Sequence, residues 1–455
     1  MLVNDTIAAV ATPPGTGGVA IIRISGSKAH DVLKKVFSKK SGYTHGQMYF
    51  GSIKSKGVLL DEGLAVLFFA PRSYTGEDTA ELHCHGGAVG VRNVLQYVYE
   101  CGARPAQPGE FTRRAFLNGK MDLTQAEAVA DYISAVSEAG AKMSMKQLEG
   151  KLKTIVTGFQ ERLTDLLAEV NAAVEYPEED LETEIADSSL PVLERLLMEI
   201  RNLSVTFDQG RVLRHGLDVA IIGKPNAGKS SLLNRLVQAD KAIVADVPGT
   251  TRDVVEQSFY IDGILINLKD TAGIRRTNDT IENEGVKRSK NAANDSKLVI
   301  FLLDEQAGID GEDQRAFESI EKNGDDVIVA LNKIDLSERR SESIEIPAIF
   351  GNDVLRLSAK TGEGIESLKK RIYAYALADH AADEDMLITN ERHRYLLDAA
   401  AGHIDEALAE LKGGMDMDCV TIDLNAAWSA LGEVTGNTVS EDIIDRIFEK
   451  FCLGK

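Results

Sequence analysis

The sequence predicts a multidomain protein. Residues 1–118 read as an α+β domain. Residues 119–212 and 378–455 read as one α-helical bundle domain, discontinuous in sequence. Residues 213–377 read as an inserted α/β phosphate-loop (P-loop) domain. Three observations carry this. From Leu217 to about Leu377, short apolar runs alternate with helical patterns, as in βαβ units around a mainly parallel sheet. On both sides of that block, apolar residues recur at three- and four-residue steps, the pattern of amphipathic bundle helices. Before Leu123, strand-like runs mix with turns and a helical segment.

Composition sets the outer limits. A chain of 455 residues holds about two to four domains. Its 51 basic and 71 acidic side chains give a formal charge of −20, which argues against broad nonspecific binding of polyanions. RNA contact would then require a local basic patch. The acidic excess is concentrated between Glu175 and Asp187, which reads as a solvated face or linker. No run of about 18 apolar residues offers a membrane span, and the start lacks a secretory pattern. Four scattered cysteines (Cys84, Cys101, Cys419 and Cys452) form no disulfide framework, so a cytoplasmic setting is expected.

In order, Thr6–Ala11 and Val19–Ile24 read as buried strands, with Pro13-Pro-Gly-Thr-Gly-Gly18 as the loop between them. Leu64–Phe69 is a third strand. Ala80–His85 alternates and places Glu81, His83 and His85 on one face. With no third ligand evident nearby, the two histidines read as surface or hydrogen-bonded residues rather than a metal site. Gly86-Gly87 opens a helix to about Glu100. Arg113-Arg114 is the first local basic patch; it reads as a solvated helix face, with RNA or an anionic ligand as the alternative. Leu123, Ala126, Ala130, Ile133 and Val136 form one helical stripe. Leu152, Ile155, Phe159, Leu163, Leu166 and Val170 form another. Leu190–Phe207 is again helical. The α/β block follows, with strands Val219–Ile222, Val254–Ile261, Ile264–Lys269, Leu298–Leu303, Val327–Leu331 and Val354–Leu357. Asp262-Gly263 marks an antiparallel hairpin. Arg392–Leu411, Cys419–Gly432 and Val439–Phe451 complete the bundle.

The chemistry centres on Gly223-Lys-Pro-Asn-Ala-Gly-Lys-Ser230, a Gly-x4-Gly-Lys-Ser loop between a strand and a helix. Its glycines let the backbone wrap an anion, so that N–H groups of Asn226, Ala227, Gly228 and Ser231 face phosphates. Lys229 places its charge on the β/γ-phosphates and the Ser230 hydroxyl reaches Mg²⁺. Four motifs follow in order. Gly249-Thr250-Thr251-Arg252 offers threonines to Mg²⁺ and the γ-phosphate. Asp270-Thr271-Ala272-Gly273 offers Asp270 to the Mg²⁺ shell and Gly273 to the γ-phosphate. Asn332-Lys333-Ile334-Asp335 presents a carboxylate that accepts N1–H and N2–H of guanine, which adenine cannot supply. Ser358-Ala359-Lys360 supports the base. Five motifs in this order predict guanine-nucleotide binding. Ile274 stands where many such enzymes carry a water-orienting glutamine, so another group must orient the attacking water; Glu282 and Glu284 are equal candidates.

These five motifs resemble those of the translation-factor-like GTPases. Asn4-Asp-Thr-Ile7, Ala11-Thr-Pro-Pro-Gly15, Ser73-Tyr-Thr-Gly-Glu-Asp78, Pro108-Gly-Glu-Phe111 and Phe451-Cys-Leu-Gly-Lys455 extend the likeness over the whole length. The chain resembles the MnmE (TrmE) family of tRNA-modification GTPases. That resemblance selects Glu282 as the catalytic residue, acting through an ordered second water. It implies K⁺ between two facing GTPase domains in place of an arginine finger. The ligands would be Asn226 and carbonyls of Ala245, Val247 and Thr250, with Asp246, Pro248 and Gly249 completing the nucleotide loop. Pro248 is a departure from the family loop, but it removes an N–H and no carbonyl. Mg²⁺ falls to Ser230 and Thr251.

The resemblance further implies a folate-binding-like N-terminal domain that forms a constitutive homodimer. It would take 5-formyl- or methylene-tetrahydrofolate through Arg23, Glu81, Lys120 and the terminal Lys455. Cys452 matches the family tail Cys-x-Gly-Lys better than a prenylation box, and a thiolate there could add to C6 of uracil. The implied activity is modification at C5 of the wobble uridine of certain tRNAs, with the flavoprotein MnmG as partner. The main alternative is an RNA-binding GTPase of ribosome assembly, which would carry a basic RNA module. A purely regulatory switch is the second.

Overall fold

This computed structural model describes residues 5–175, 181–239, 257–269, 291–320, 322, 326–336, 347–350, 353–377, 388–451 and 454. The chain divides into two compact units. One comprises Met1–Ile133, Ser144–Arg201 and Tyr395–Lys455; the other comprises Ser134–Met143 and Asn202–Arg394.

The first unit begins with β1 (Ile7–Val10), β2 (Gly17–Ser25), α1 (Ala29–Val36), β3 (Tyr49–Ser55), β4 (Val58–Phe68), β5 (Thr79–Gly86), α2 (Ala88–Glu100) and β6 (Arg104–Pro105). The sheet runs β3-β4-β5-β2-β1-β6. Neighbours are antiparallel except β1 and β6, which are parallel. Ile22, Ile24, Leu67 and Leu82 pack with Val32, Leu33, Val94 and Val98 of α1 and α2 in one core. The expected loop 13–18 is shorter than predicted. Gly17 already pairs with Gly86, where a Cβ on Gly86 would lie 2.5 Å from the Gly17 carbonyl oxygen, so two glycines allow the close approach.

The helices that follow along the chain are α3 (Glu110–Leu117), α4 (Leu123–Ser134), α5 (Glu138–Leu148), α6 (Lys151–Glu175) and α7 (Leu181–Val205), the last two of 25 residues each. In α6 the buried stripe is Leu152, Val156, Phe159, Leu163, Leu166 and Val170. Val156, not the expected Ile155, takes the second position, because adjacent apolar residues satisfy a 3.6 period equally well. In α4, Leu123 and Ala126 pack as expected, but Ile133 is 45% exposed and Val136 lies beyond the helix end. Within the acidic stretch, expected as a solvated face or linker, Leu181–Asp187 opens α7 and so belongs to a helix, since leucine and glutamate favour helix and acids suit its N-terminal end.

Arg114 corrects the expectation of a solvated basic patch: it is 6% exposed. Its guanidinium meets Asp5 at 2.5 Å, Glu77 at 3.1 Å and Glu110 at 3.1 Å, and Arg104 bridges Asp5 and Glu110. Burial alone would raise the Asp5 pKa, yet Arg114 and Arg104 hold it below the ordinary value. Arg113 pairs with Asp445 at 2.8 Å. Both charges are therefore committed within the fold.

The second unit holds α8 (Phe207–His215), β7 (Leu217–Ile222), α9 (Lys229–Ala239), β8 (Gln257–Ile261), β9 (Ile264–Lys269), β10 (Leu298–Asp304), α10 (Gly311–Glu318), β11 (Val327–Asn332), β12 (Leu355–Arg356) and α11 (Ile365–Leu377). The sheet order is β12-β11-β10-β7-β9-β8, parallel except for the β8–β9 hairpin. Asp262 (φ 46°) and Gly263 (φ 85°) make that turn with both residues left-handed, as the dipeptide predicts. Alternate residues fill two cores. Val219, Ile221, Ile300, Leu302 and Ala330 face one layer, while Ala220, Ile222, Phe301, Leu303 and Leu331 face the other. Burial on both faces explains why Val219–Ile222, Leu298–Leu303 and Val327–Leu331 read as continuous apolar runs. The remaining helices are α12 (Glu391–Gly413), α13 (Met417–Thr435) and α14 (Glu441–Phe448). Among the described residues, no helix is long and apolar enough to cross a membrane.

Candidate nucleotide-binding site

The predicted motifs that the structure describes converge at the carboxyl ends of β7, β11 and β12, where parallel α/β sheets bind ligands. Ile222 ends β7, and Gly223 leaves the sheet with φ 152°. A Cβ there would lie 2.2 Å from the Leu302 carbonyl oxygen, so glycine lets the loop start close against β10. Asn226 (φ 65°) and Gly228 (φ 98°) turn the chain back, and α9 begins at Lys229. The loop therefore meets the N-terminus of a helix, a natural anion site. Lys229 Nζ donates to the carbonyls of Gly223 and Lys224 at 2.6 and 2.7 Å, which arches the loop around the ammonium. Ser230 and Ser231 are exposed in the first turn of α9, and Asn226 is exposed in the loop.

Asn332 joins this loop to the segments expected to recognise the base. It is 2% exposed, its Nδ2 donates to the Ala227 carbonyl at 2.8 Å, and its Oδ1 accepts from the Ala359 N–H at 3.0 Å. Lys333 (φ 69°) follows, and its ammonium pairs with Asp304 at 2.6 Å. Asp335 stands in the short helical turn Ile334–Leu336 and accepts from Ser358 Oγ at 2.6 Å. Ser358 is buried, and its Oγ also receives the Thr361 N–H at 3.1 Å. One Asp335 oxygen is thus held within the fold by Ser358.

Sequence reasoning missed the acids around the loop. Asp304 ends β10 and holds Lys333. Asp310 caps α10 in a reciprocal capping box with Asp313, and both pair with Lys224 of the phosphate loop. Lys224 holds the Asp310 carboxyl below its usual range. The Asp310-Gly-Glu-Asp313 spacing is a helix-start signal that could have located α10. Its contact with Lys224 is long-range and has no local signature.

In the first unit, Arg23 and Glu81 are cross-strand partners on β2 and β5, and their side chains pair at 3.0 Å. The guanidinium lies over Tyr74 and Phe111, 5.2 and 5.8 Å from the ring centres. His83 Nε2 is buried without a hydrogen bond, 3.4 Å from Glu81 Oε2, while His85 pairs with Asp61 at 2.7 Å. Lys120 is exposed and donates to the Pro71 carbonyl at 3.1 Å. Ala245, Asp246, Val247, Pro248, Gly249, Thr250, Thr251, Asp270, Thr271, Ala272, Gly273, Glu282, Cys452 and Lys455 lie outside the described residues.

Comparison with known proteins covers the whole chain. Residues 123–452 match the family model "MnmE helical domain", and residues 6–120 match "GTP-binding protein TrmE N-terminus". A tRNA modification GTPase MnmE of Acetivibrio thermocellus is 41% identical over 463 residues, covering 100% of both chains. The protein of the same name from Syntrophus aciditrophicus is 43% identical over 460 residues, again covering 100% of both. Among solved structures, the G domain of the T. maritima FeoB iron transporter is 32% identical over 35% of this chain and 98% of that one, with a TM-score of 0.25.

Proposed function

Since the chain belongs to the MnmE family of tRNA-modification GTPases, we propose that it is a K⁺-stimulated GTP hydrolase acting on the wobble uridine. With a flavoprotein partner of the MnmG type, it converts C5 of uridine 34 in certain tRNAs to an aminomethyl or carboxymethylaminomethyl derivative. The observation that carries the nucleotide part is the buried Asn332, which ties the phosphate loop to the base-recognition turn.

Roles follow from residue chemistry and, for K⁺ and Glu282, from the resemblance to the family. The N–H groups of 226–231 and Lys229 hold the phosphates, and Asp335 selects guanine. Mg²⁺ would be held by Ser230 and Thr251, with Asp270 in its outer shell. K⁺ would be held by Asn226 and the carbonyls of Ala245, Val247 and Thr250, supplying positive charge beside the phosphates when bound. Glu282 would orient the attacking water through an ordered second water, in place of the glutamine that Ile274 replaces. Asn226 is exposed with a left-handed backbone, so its side chain is free to face such a cation.

Arg23, Glu81, Lys120 and Lys455 would hold 5-formyl- or methylene-tetrahydrofolate, the carbon source. The unbonded buried His83 Nε2 beside Glu81 fits a ligand with hydrogen-bonding edges. Cys452 offers a thiolate for uracil C6. A homodimer would pair the GTPase domains and assemble with the flavoprotein as a heterotetramer or larger complex in the cytoplasm.

GTP hydrolysis is expected to run on the order of tenfold or more faster in K⁺ than in Na⁺ at equal ionic strength. Glu282→Ala should lower kcat by about 10²–10⁴ while leaving the GTP dissociation constant unchanged. Equal rates in the two salts, or full activity of the variant, would contradict this reading.

A further inference from the structure

Arg235 lies six residues after Lys229 on α9, and its guanidinium reaches the turn that supports the base. Its Nε donates to the Ala359 carbonyl at 3.1 Å, and its Nη2 donates to the Lys360 carbonyl. A Cβ on Gly362 would lie 3.9 Å from Arg235 Cζ, so the fork lies along the whole turn. The turn itself is closed by Gly362 N–H to the Ser358 carbonyl at 2.9 Å and by Ser358 N–H to the Glu363 carbonyl at 2.9 Å. Ser358 Oγ in turn fixes Asp335, and the Ala359 N–H meets Asn332. Among the described residues, the hydrogen bonds of Arg235 go to neutral carbonyls. A half-buried guanidinium used in this way restrains backbone in two places at once, through a rigid planar fork that a single point charge cannot reproduce.

We propose that Arg235 is a positioning residue for base selection. The helix that starts at the phosphates sets, through Arg235, the place of the 358–360 turn and hence the orientation of the Asp335 carboxylate. The phosphate end and the base end of the site are thus held in one register by α9. This rests on the reading of Asp335 as the acceptor for guanine.

The readout is the ratio of dissociation constants for IDP and GDP, measured with full-length protein. Inosine keeps N1–H but lacks the exocyclic amine, so the ratio reports how well Asp335 is aimed. In Arg235→Ala, GDP binding should weaken about tenfold and IDP binding about twofold, so discrimination falls about fivefold. Arg235→Lys, which keeps the charge and one donor direction, should recover part of the ratio, and it serves in place of the alanine variant if that variant fails to fold. A purely structural role would weaken both nucleotides by the same factor, and that result, or no change in either, overturns the proposal. Asp335→Ala separates the two readings. If it abolishes discrimination while Arg235→Ala leaves it intact, the role of Arg235 is wrong and that of Asp335 stands. If Asp335→Ala leaves discrimination unchanged, both fall.

Discussion

Gly228→Ala is expected to weaken GDP and GTP binding by at least about a hundredfold. Gly228 sits at φ 98°, which an alanine adopts only under strain of about 1–3 kcal/mol. Its Cβ would also lie 2.2 Å from Asn332 Nδ2. Asn332 cannot swing away cheaply, because it is buried and bonded at both ends of its amide, to Ala227 and to Ala359. Moving it strands buried polar groups at about 1–3 kcal/mol each. The phosphate loop and the base turn would then lose their common support. Titration with a fluorescent guanine nucleotide measures the effect, and a thermal melt should show the domain destabilised by about 2–5 kcal/mol. Gly158→Ala is the control. Gly158 lies in α6 with nothing within 4 Å of an added Cβ, so nucleotide binding should be unchanged. Wild-type affinity in Gly228→Ala would refute the role given to Asn332.

Asp335→Asn should change which base is bound. The Ser358 hydroxyl fixes one carboxylate oxygen at 2.6 Å, so the group presents a defined acceptor edge. Guanine offers two donors to that edge, N1–H and the exocyclic amine. An asparagine keeps one acceptor and replaces the other with an N–H₂ donor, which opposes the amine and leaves it unpaired. The guanine affinity should fall by about 10⁴-fold, the size of discrimination a hydrogen-bonding site achieves. Xanthine carries a carbonyl in place of the amine, so XDP should bind the variant better than GDP does. A GDP affinity within a few-fold of wild type would remove Asp335 from base recognition.

The legible parts of this molecule are those whose signal is local. The parallel sheet was readable because Val219–Ile222, Leu298–Leu303 and Val327–Leu331, within β7, β10 and β11, are packed on both faces and are unbroken apolar runs. The β8–β9 hairpin was readable because Asp262-Gly263 needs positive φ twice. By contrast, α1 has eight residues and two lysines in its last turn, too short for periodicity to declare itself. Strand β3 contains Gly51 and places Phe50 at 74% exposure, so its alternation points the wrong way. Arg114 looked like a surface cation because two of its three acidic partners, Asp5 and Glu77, are 109 and 37 residues away. The same holds within the site. Gly223–Ser230, Asn332, Asp335 and Ser358 were identified by spacing and residue type. Asp304, Asp310 and Arg235 act through contacts 29, 86 and 124 residues apart, which nothing in their own neighbourhood announces. Local chemistry named the candidate nucleotide-binding groups, and tertiary structure was needed to name those that hold them.

The central claim is that this GTP hydrolase serves chemistry on the wobble uridine. It is tested by incubating the full-length protein with an MnmG-type flavoprotein, GTP, Mg²⁺, K⁺, methylene-tetrahydrofolate, ammonium or glycine, and tRNA lacking the modification. The tRNA is then digested and its nucleosides separated by mass. The account predicts a uridine carrying an aminomethyl or carboxymethylaminomethyl group at C5 of position 34, formed only in the complete mixture and lost with Glu282→Ala. Unmodified uridine 34 in a complete mixture that still consumes GTP would contradict it.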